Sequence, residues 1–300
     1  MIVITTPTGD IGHQVLENLL SSNEQIRVIV RDPSRIPAEV RNRIHIVQGS
    51  HGDASICNTA FAGADALFWV LPPDFAANSV EAAYLDFSRP ACEAIRKRGV
   101  KQVVIVSALG RGTPQAKKAG LVTASLAMDD LFAGTGVNLR VLTMPSFMDN
   151  LLNQAEAIKT RGMIFSPISG DRKLPTCATR DIAAAAAKLL LDRTWTGQKE
   201  VPVLGPEDLS FNDIAQIISE VLGKPVRFQQ IPGEAFKSRL MGFGMSDAMA
   251  QGMLDMMVAK NDGLDNAEPR TPEASSPTTF REWCEEVLGP VCSPQEANAK

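Results

Sequence analysis

Two hydrophobic periods alternate along this chain. Ile2 to Thr5 is a short apolar, β-branched run that reads as a buried strand. Ile11, Val15, Leu16, Leu19 and Leu20 then recur at helical spacing. Further strands are predicted at 25–31 (QIRVIVR), 43–48 (RIHIVQ), 64–71 (ADALFWVL), 102–106 (QVVIV) and 138–143 (NLRVLT). Helices are predicted between them at 54–62, 78–98 and 120–134. Strand and helix alternating in this way predict a doubly wound parallel sheet with helices on both faces, a Rossmann-type α/β fold.

The second half is less regular. Helices are predicted at 148–159, at 180–192 (RDIAAAAAKLLLD) and from Ser210, with Asp213 closing a capping box, to Gly223. Residues 201–204 read as a strand returning to the main sheet, and 226–231 as a strand of a smaller α+β region. Met241, Met245, Met249, Met253 and Met257 fall at every fourth position of a predicted helix, 234–260, and form a stripe. Core packing is the plain account of the stripe; an adaptable substrate wall is the functional one. Residues 261–277 read as a loop, Thr279 and Glu282 as a second capping box, and the last ten residues as frayed. The expected division is a nucleotide-binding unit, 1–150 with 178–205 returning to it, and a substrate-binding region, 151–177 and 206–300.

The turn after the first strand carries the chemistry. Thr6-Pro7-Thr8-Gly9-Asp10-Ile11-Gly12 joins a strand to a helix, which aims free backbone N–H groups and the helix dipole at an anion. Thr6, Thr8, Gly9, Asp10, Ile11 and Gly12 are therefore candidate dinucleotide contacts, with Gly12 allowing close helix–strand packing. Thr6 stands where the usual fingerprint has its first glycine. Arg31 ends the second strand about 20 residues on, where the fold meets the adenosine ribose, and Arg35 follows. Arginine there suits a 2′-phosphate and favours NADP(H) over NAD. Asp32 is the competing feature, since an acid serves the ribose hydroxyl. Gly49 and Ser50 end the third strand, where an adenine would lie. Val70, Leu71 and Pro72 end the fourth, Ser107 and Ala108 the fifth, and Pro145, Ser146 and Phe147 follow the sixth. These are the remaining expected cofactor contacts. Trp69 is expected at the cofactor edge.

Composition narrows the classes. The 300 residues carry a net charge of −4, with 44% hydrophobic and 21% charged residues. That balance gives no electrostatic case for nucleic acid or an anionic membrane. No apolar run reaches the ~18 residues of a membrane span. No signal peptide is expected, and the chain reads as cytoplasmic. Five scattered cysteines and His13, His45 and His51 show no metal-ligand spacing.

Several segments together resemble the NmrA-like atypical short-chain dehydrogenase/reductases. They are the 6–12 turn, VRDP at 30–33, VIVSALG at 104–110, MPSFMDN at 144–150, RDIAAAAAKLL at 180–190, VLGPEDLSFNDIA at 203–215 and TTFREW at 278–283. WVLPPDF at 69–75 and the methionine-rich C-terminal helix resemble the fungal ergot-alkaloid dehydrogenases and their bacterial relatives. The resemblance implies a Rossmann NADP domain, a small C-terminal domain and a substrate cleft between them. The group includes quinone and imine reductases, and also regulators that bind dinucleotide without turning it over. The Tyr-x-x-x-Lys dyad of true short-chain dehydrogenases is missing. Aligning Asp129-Asp130 with the family's acidic pair puts Ser125 at the lysine and Leu121 at the tyrosine, with Lys117 and Lys118 upstream as substitutes.

The expected activity is hydride transfer from NADPH to a small hydrophobic acceptor: an iminium, a quinone, or an activated alkene or carbonyl. Ser107 and Tyr84 are the candidate catalytic groups. Asp149 and Asn150 are expected in the cleft floor. A catalytically silent NAD(P) sensor that meets a protein partner is the alternative. A homodimer is one assembly consistent with the chain.

Overall fold

The computed structural model describes residues 1–293; the C-terminal part of the segment expected to fray, 294–300, lies outside them. The first half runs β1 (Ile2–Thr5), α1 (Asp10–Leu20), β2 (Ile26–Val30), α2 (Ala38–Arg41), β3 (His45–Gln48), α3 (Ala54–Ala60), β4 (Ala66–Trp69), α4 (Phe87–Arg98), β5 (Gln102–Ala108), α5 (Leu121–Ala133) and β6 (Asn138–Met144). The second half runs β7 (Ser146–Phe147), α6 (Ala155–Arg161), β8 (Met163–Ser166), β9 (Leu174–Cys177), α7 (Thr179–Leu191), β10 (Gln198–Pro202), β11 (Asp208–Leu209), α8 (Phe211–Leu222), β12 (Arg227–Gln230), α9 (Gly233–Gly242), α10 (Asp247–Asn261), α11 (Phe280–Trp283) and α12 (Gly289–Cys292).

Seven strands form one parallel sheet in the order β10-β6-β5-β4-β1-β2-β3. The order reverses between β1 and β4, and a crevice opens at such a switch point, beyond the carboxyl ends of the strands. The central strands are buried on both faces, which is why they read as unbroken apolar runs. One face packs against α3, α4 and α5 through Leu67, Trp69, Ile95, Val103 and Phe132. The other packs against α1 and α7 through Ile4, Val15, Leu19, Ile182 and Leu190. The alanines of α7 let it lie close to the sheet and to α1. The returning strand predicted at 201–204 is β10, 198–202, on the β6 edge.

The rest of the second half forms a three-stranded sheet, β11-β9-β7, and a parallel pair, β8 with β12. Its core holds Ile158, Ile164, Ile218, Phe280 and Trp283. Both predicted capping boxes are present, Ser210 with Asp213 and Thr279 with Glu282.

The long helix predicted over 234–260 is two. Gly244 adopts φ +92° and Ser246 caps the start of α10. The break divides the stripe: Met241 is exposed, whereas Met245, Met249, Met253 and Met256 pack on the α3–α5 face. Met256 takes the inward place expected for Met257. A close backbone approach seats α10, because a Cβ on Gly120 (φ +52°) would stand 2.0 Å from the Gly252 carbonyl oxygen.

Candidate active site

A cleft of about 360 Å³ opens at the switch point. Its floor is the turn into α1. Gly9 is the N-cap of α1 and offers no side chain, so no side-chain cap satisfies the first N–H groups of the helix. Gly9, Asp10, Ile11 and Gly12 all line the cleft. Gly12 is sterically required, since a Cβ there would stand 2.0 Å from the Thr6 carbonyl oxygen. A residue without a glycine's freedom still makes the first bend: Thr6 holds φ +50°. That conformation costs a β-branched residue ~1–2 kcal/mol. The Thr6 hydroxyl donates to the Val70 carbonyl at 2.9 Å, and its carbonyl accepts from Gly9 N–H at 3.1 Å. Buried Thr5 adds further bonds to Phe68 and Val70, tying β1 to the end of β4.

Above the turn, Val70, Leu71 and Pro72 line one wall, Ser107 and Ala108 a second, and Pro145, Ser146 and Phe147 a third. Thr6 belongs to the lining and Thr8 does not. Gly49 and Ser50 lie away from it: Gly49 packs on Ile56, and the Ser50 hydroxyl accepts from Gly52 N–H. Arg31 and Arg35 are exposed at the end of β2, outside the cleft lining. Asp32 beside them accepts from the Ser34 N–H and hydroxyl. These bonds hold its carboxyl below the ordinary range and engage Oδ1 in a local turn.

The remaining wall is mainly apolar. Leu121, Val122, Phe75, Met253 and Met256 contribute to it, and the charged residues of the cleft lining as a whole are Asp10 and Lys260. Lys260 is buried against Asp265 in an ion pair. Lys117 and Lys118 are exposed and do not reach the cleft, so they do not replace the missing lysine there. Leu121 and Ser125, at the aligned dyad positions, both line it. Trp69 is a correction. It lies outside the cleft lining, fully buried beneath the cleft on the α3–α5 side of the sheet, where His51, Phe87 and Phe132 pack around it.

Tyr84 lines the cleft from a widened, π-helical turn, 82–86, inside the predicted 78–98 helix. Burial pushes its phenol well above the ordinary value. Ser107 Oγ is hydrogen-bonded to Asp129 Oδ2 at 2.7 Å and lies 3.0 Å from Ser125 Oγ. Asp129 was legible in the sequence only as half of an acidic pair on a helix; its burial was not. Asp149 accepts from the Thr179 N–H and hydroxyl, capping α7 beside the cleft, while Asn150 lines it.

The uncapped α1 terminus, the space left at Gly12 and the position at the switch point fit a dinucleotide pyrophosphate. Among the described residues no helix is long and apolar enough to cross a membrane.

Two family models match: NAD(P)H-binding over residues 7–193, and the NmrA-like family over residues 132–284. Quinone oxidoreductase 2 of Escherichia coli strain K12 is 26% identical over 283 residues, 93% of this chain and 95% of its own. Festuclavine dehydrogenase of Aspergillus fumigatus is 34% identical over 153 residues, 49% of this chain and 48% of its own. A crystal structure of the Escherichia coli NADPH-dependent quinone oxidoreductase complexed with NADPH superposes with a TM-score of 0.79 at 24% identity. It covers 96% of this chain and 100% of that one, a likeness that shows the fold.

Proposed function

Because the chain belongs to the NmrA-like family of NAD(P)H-binding proteins, we propose that it is an NADPH-dependent reductase of flat, hydrophobic acceptors such as quinones, iminium ions and activated alkenes. One observation carries the reading: an uncapped helix N-terminus opens into the same cleft as an apolar wall.

In this reading Gly9 to Gly12 hold the pyrophosphate, and the ends of β4, β5 and β6 flank the nicotinamide half. Arg31 meets the 2′-phosphate, and Asp32, engaged by Ser34, does not compete for it. Bound NADPH supplies the hydride. Met253, Met256, Leu121 and Phe75 cover the acceptor and exclude water, with the thioethers adjusting to its outline. Ser107, Ser125 and Tyr84 offer hydroxyls where the acceptor's polar atom would lie. The relatives' named substrates, a quinone for one and festuclavine chemistry for another, are of the apolar, ring-bearing class that such a wall suits.

The test is calorimetric titration with NADPH, NADH, NADP and NAD, followed by an acceptor screen. Tight NADPH binding, ~10-fold or more over NADH (about 1.4 kcal/mol), with consumption by a quinone or iminium, is the expected result. Dinucleotide binding with no turnover of any acceptor would overturn the reductase reading in favour of a sensor. Tryptophan fluorescence is a poor reporter, given where Trp69 lies.

A further inference from the structure

We propose that Asp129 is the proton store of this cleft and delivers its proton to the acceptor through the Ser107 hydroxyl. The inference rests on the reductase reading.

Three side chains form a line from the interior to the cleft. Asp129 sits on α5, one turn beyond Ser125, and is 2% exposed. Its Oδ2 lies 2.7 Å from Ser107 Oγ, which lies 3.0 Å from Ser125 Oγ. Both serines line the cleft, and Asp129 does not. Asp129 therefore reaches a bound molecule only through a serine.

The surroundings favour a protonated carboxyl. Oδ1 is buried without a hydrogen-bond partner among the described residues. A bare oxygen is far costlier on a carboxylate than on a neutral acid. The opposing charge is Arg111, 3.4 Å from Oδ2 on the loop after β5. Its guanidinium also binds Asp130 at 2.9 Å and Glu200, on β10, at 2.6 Å. One positive charge is thus shared among three acids, and Glu200 itself repels a charge on Asp129. Glu268 lines the small pocket behind Arg111 and Glu200 and adds to the negative side. Burial prevails and raises the Asp129 carboxyl to about 7.

A store of this kind meets a chemical need. A quinone or carbonyl gains two electrons with the hydride and then needs one proton on oxygen. A serine hydroxyl is too weak an acid to lose a proton outright. It can pass one on. As the Ser107 O–H bond breaks and an O–H forms on the acceptor, the Asp129 O–H breaks and its proton restores Ser107. Asp129 is left ionised opposite Arg111 and takes a proton from water before the next turnover. Neither side chain is oxidised or reduced. Among the described residues no acid influences Tyr84, whose phenol is shifted by burial alone, so it serves as a hydrogen-bond donor and not as a second relay.

The test has two parts. Infrared difference spectra of the cofactor-free protein should show a protonated-carboxyl band at pH 6 that is lost by pH 8.5 and is absent in Asp129→Asn. Single-turnover NADPH oxidation is then followed from pH 6 to 9 with 1,4-naphthoquinone, which needs a proton, and with malachite green, a cation that needs hydride alone. In the wild type the quinone rate should fall about tenfold per pH unit above the Asp129 midpoint. Asp129→Asn should lose that slope, and its quinone-to-dye rate ratio should drop ~100-fold. Ser107→Ala, which keeps the buried acid, should lower the ratio in the same direction and secures the test if the Asn variant does not fold. A missing band, a retained slope, or equal losses on both acceptors overturns the relay while leaving the reductase reading in place. A band at pH 6 with no NADPH consumption by the wild type overturns the reductase reading and the relay with it.

Discussion

The carbonyl oxygen of Thr6 fills the space that a Cβ on Gly12 would need, 2.0 Å from where that carbon would stand. The β1 turn and the first turn of α1 are therefore fixed against each other. Gly9 is different: its φ is −93°, and a Cβ there would meet the Thr6 oxygen at 3.5 Å, an ordinary contact. Gly12→Ala is expected to lose about 1–3 kcal/mol of stability by overpacking. Gly9→Ala should fold with close to wild-type stability and yet lose NADPH affinity. Urea unfolding and calorimetry on both variants separate fold from ligand contact; equal stability losses would contradict the geometry.

Arg31 is exposed, and among the described residues its side chain has no hydrogen-bond partner. Arg31→Asp should leave stability within ~0.5 kcal/mol of wild type and weaken NADPH at least ~10-fold more than NADH. Parallel titrations with the two cofactors check this. Equal losses would remove Arg31 from the 2′-phosphate.

Stability between pH 4.5 and 6.5 should reflect two opposed groups. His51, packed between Trp69 and Phe87, is pushed down to about 4 by burial and by the Arg31 charge. In that window the unfolded chain holds a proton that folded His51 does not, so stability rises with pH. Asp129, raised to about 7, holds a proton that its unfolded form has lost, so stability falls with pH. Each slope is about 1.4 kcal/mol per pH unit. The wild type should therefore be nearly flat, Asp129→Asn should gain stability as pH rises, and His51→Phe should lose it. Urea unfolding of the three proteins at pH 4.5, 5.5 and 6.5 is the measurement, and three parallel profiles would refute the assignment.

Gly252 lets α10 rest on the start of α5. A Cβ there would meet Val80 at 2.8 Å and Leu121 at 3.1 Å. Gly252→Ala should cost about 1–2 kcal/mol and move Met253 and Met256 from the acceptor side. NADPH affinity should hold while the KM for a quinone rises several-fold, read by steady-state kinetics.

Much of this was legible because the parallel sheet announces itself locally. Buried runs such as ALFW and QVVIV need no partner to be recognised, and Ser210 with Asp213 marks a helix start within four residues. What stayed hidden depends on neighbours distant in sequence. Gly120 and Gly252 touch across more than 130 positions. The methionine stripe continues through Gly244 on paper, but the chain bends there. Asp129 reads only as half of an acidic pair on a helix until β5 and Arg111 close over it. Trp69 sits at the right strand end, but His51, Phe87 and Phe132 close over it and bury it beneath the cleft.

The packing of α7 against α1 bears on how the chain is made. Gln14 on α1 bonds Thr179 on α7, 165 positions later, and Ile182, Ala186 and Leu190 seal the sheet face that Val15 and Leu19 begin to cover. While the ribosome is still short of α7, that apolar face has no lid. A fragment ending at residue 150 would carry every strand-end contact proposed for the dinucleotide and still be prone to aggregate. Synthesis through β10, at Pro202, is the earliest point at which the large sheet holds all seven strands and both of its helical layers.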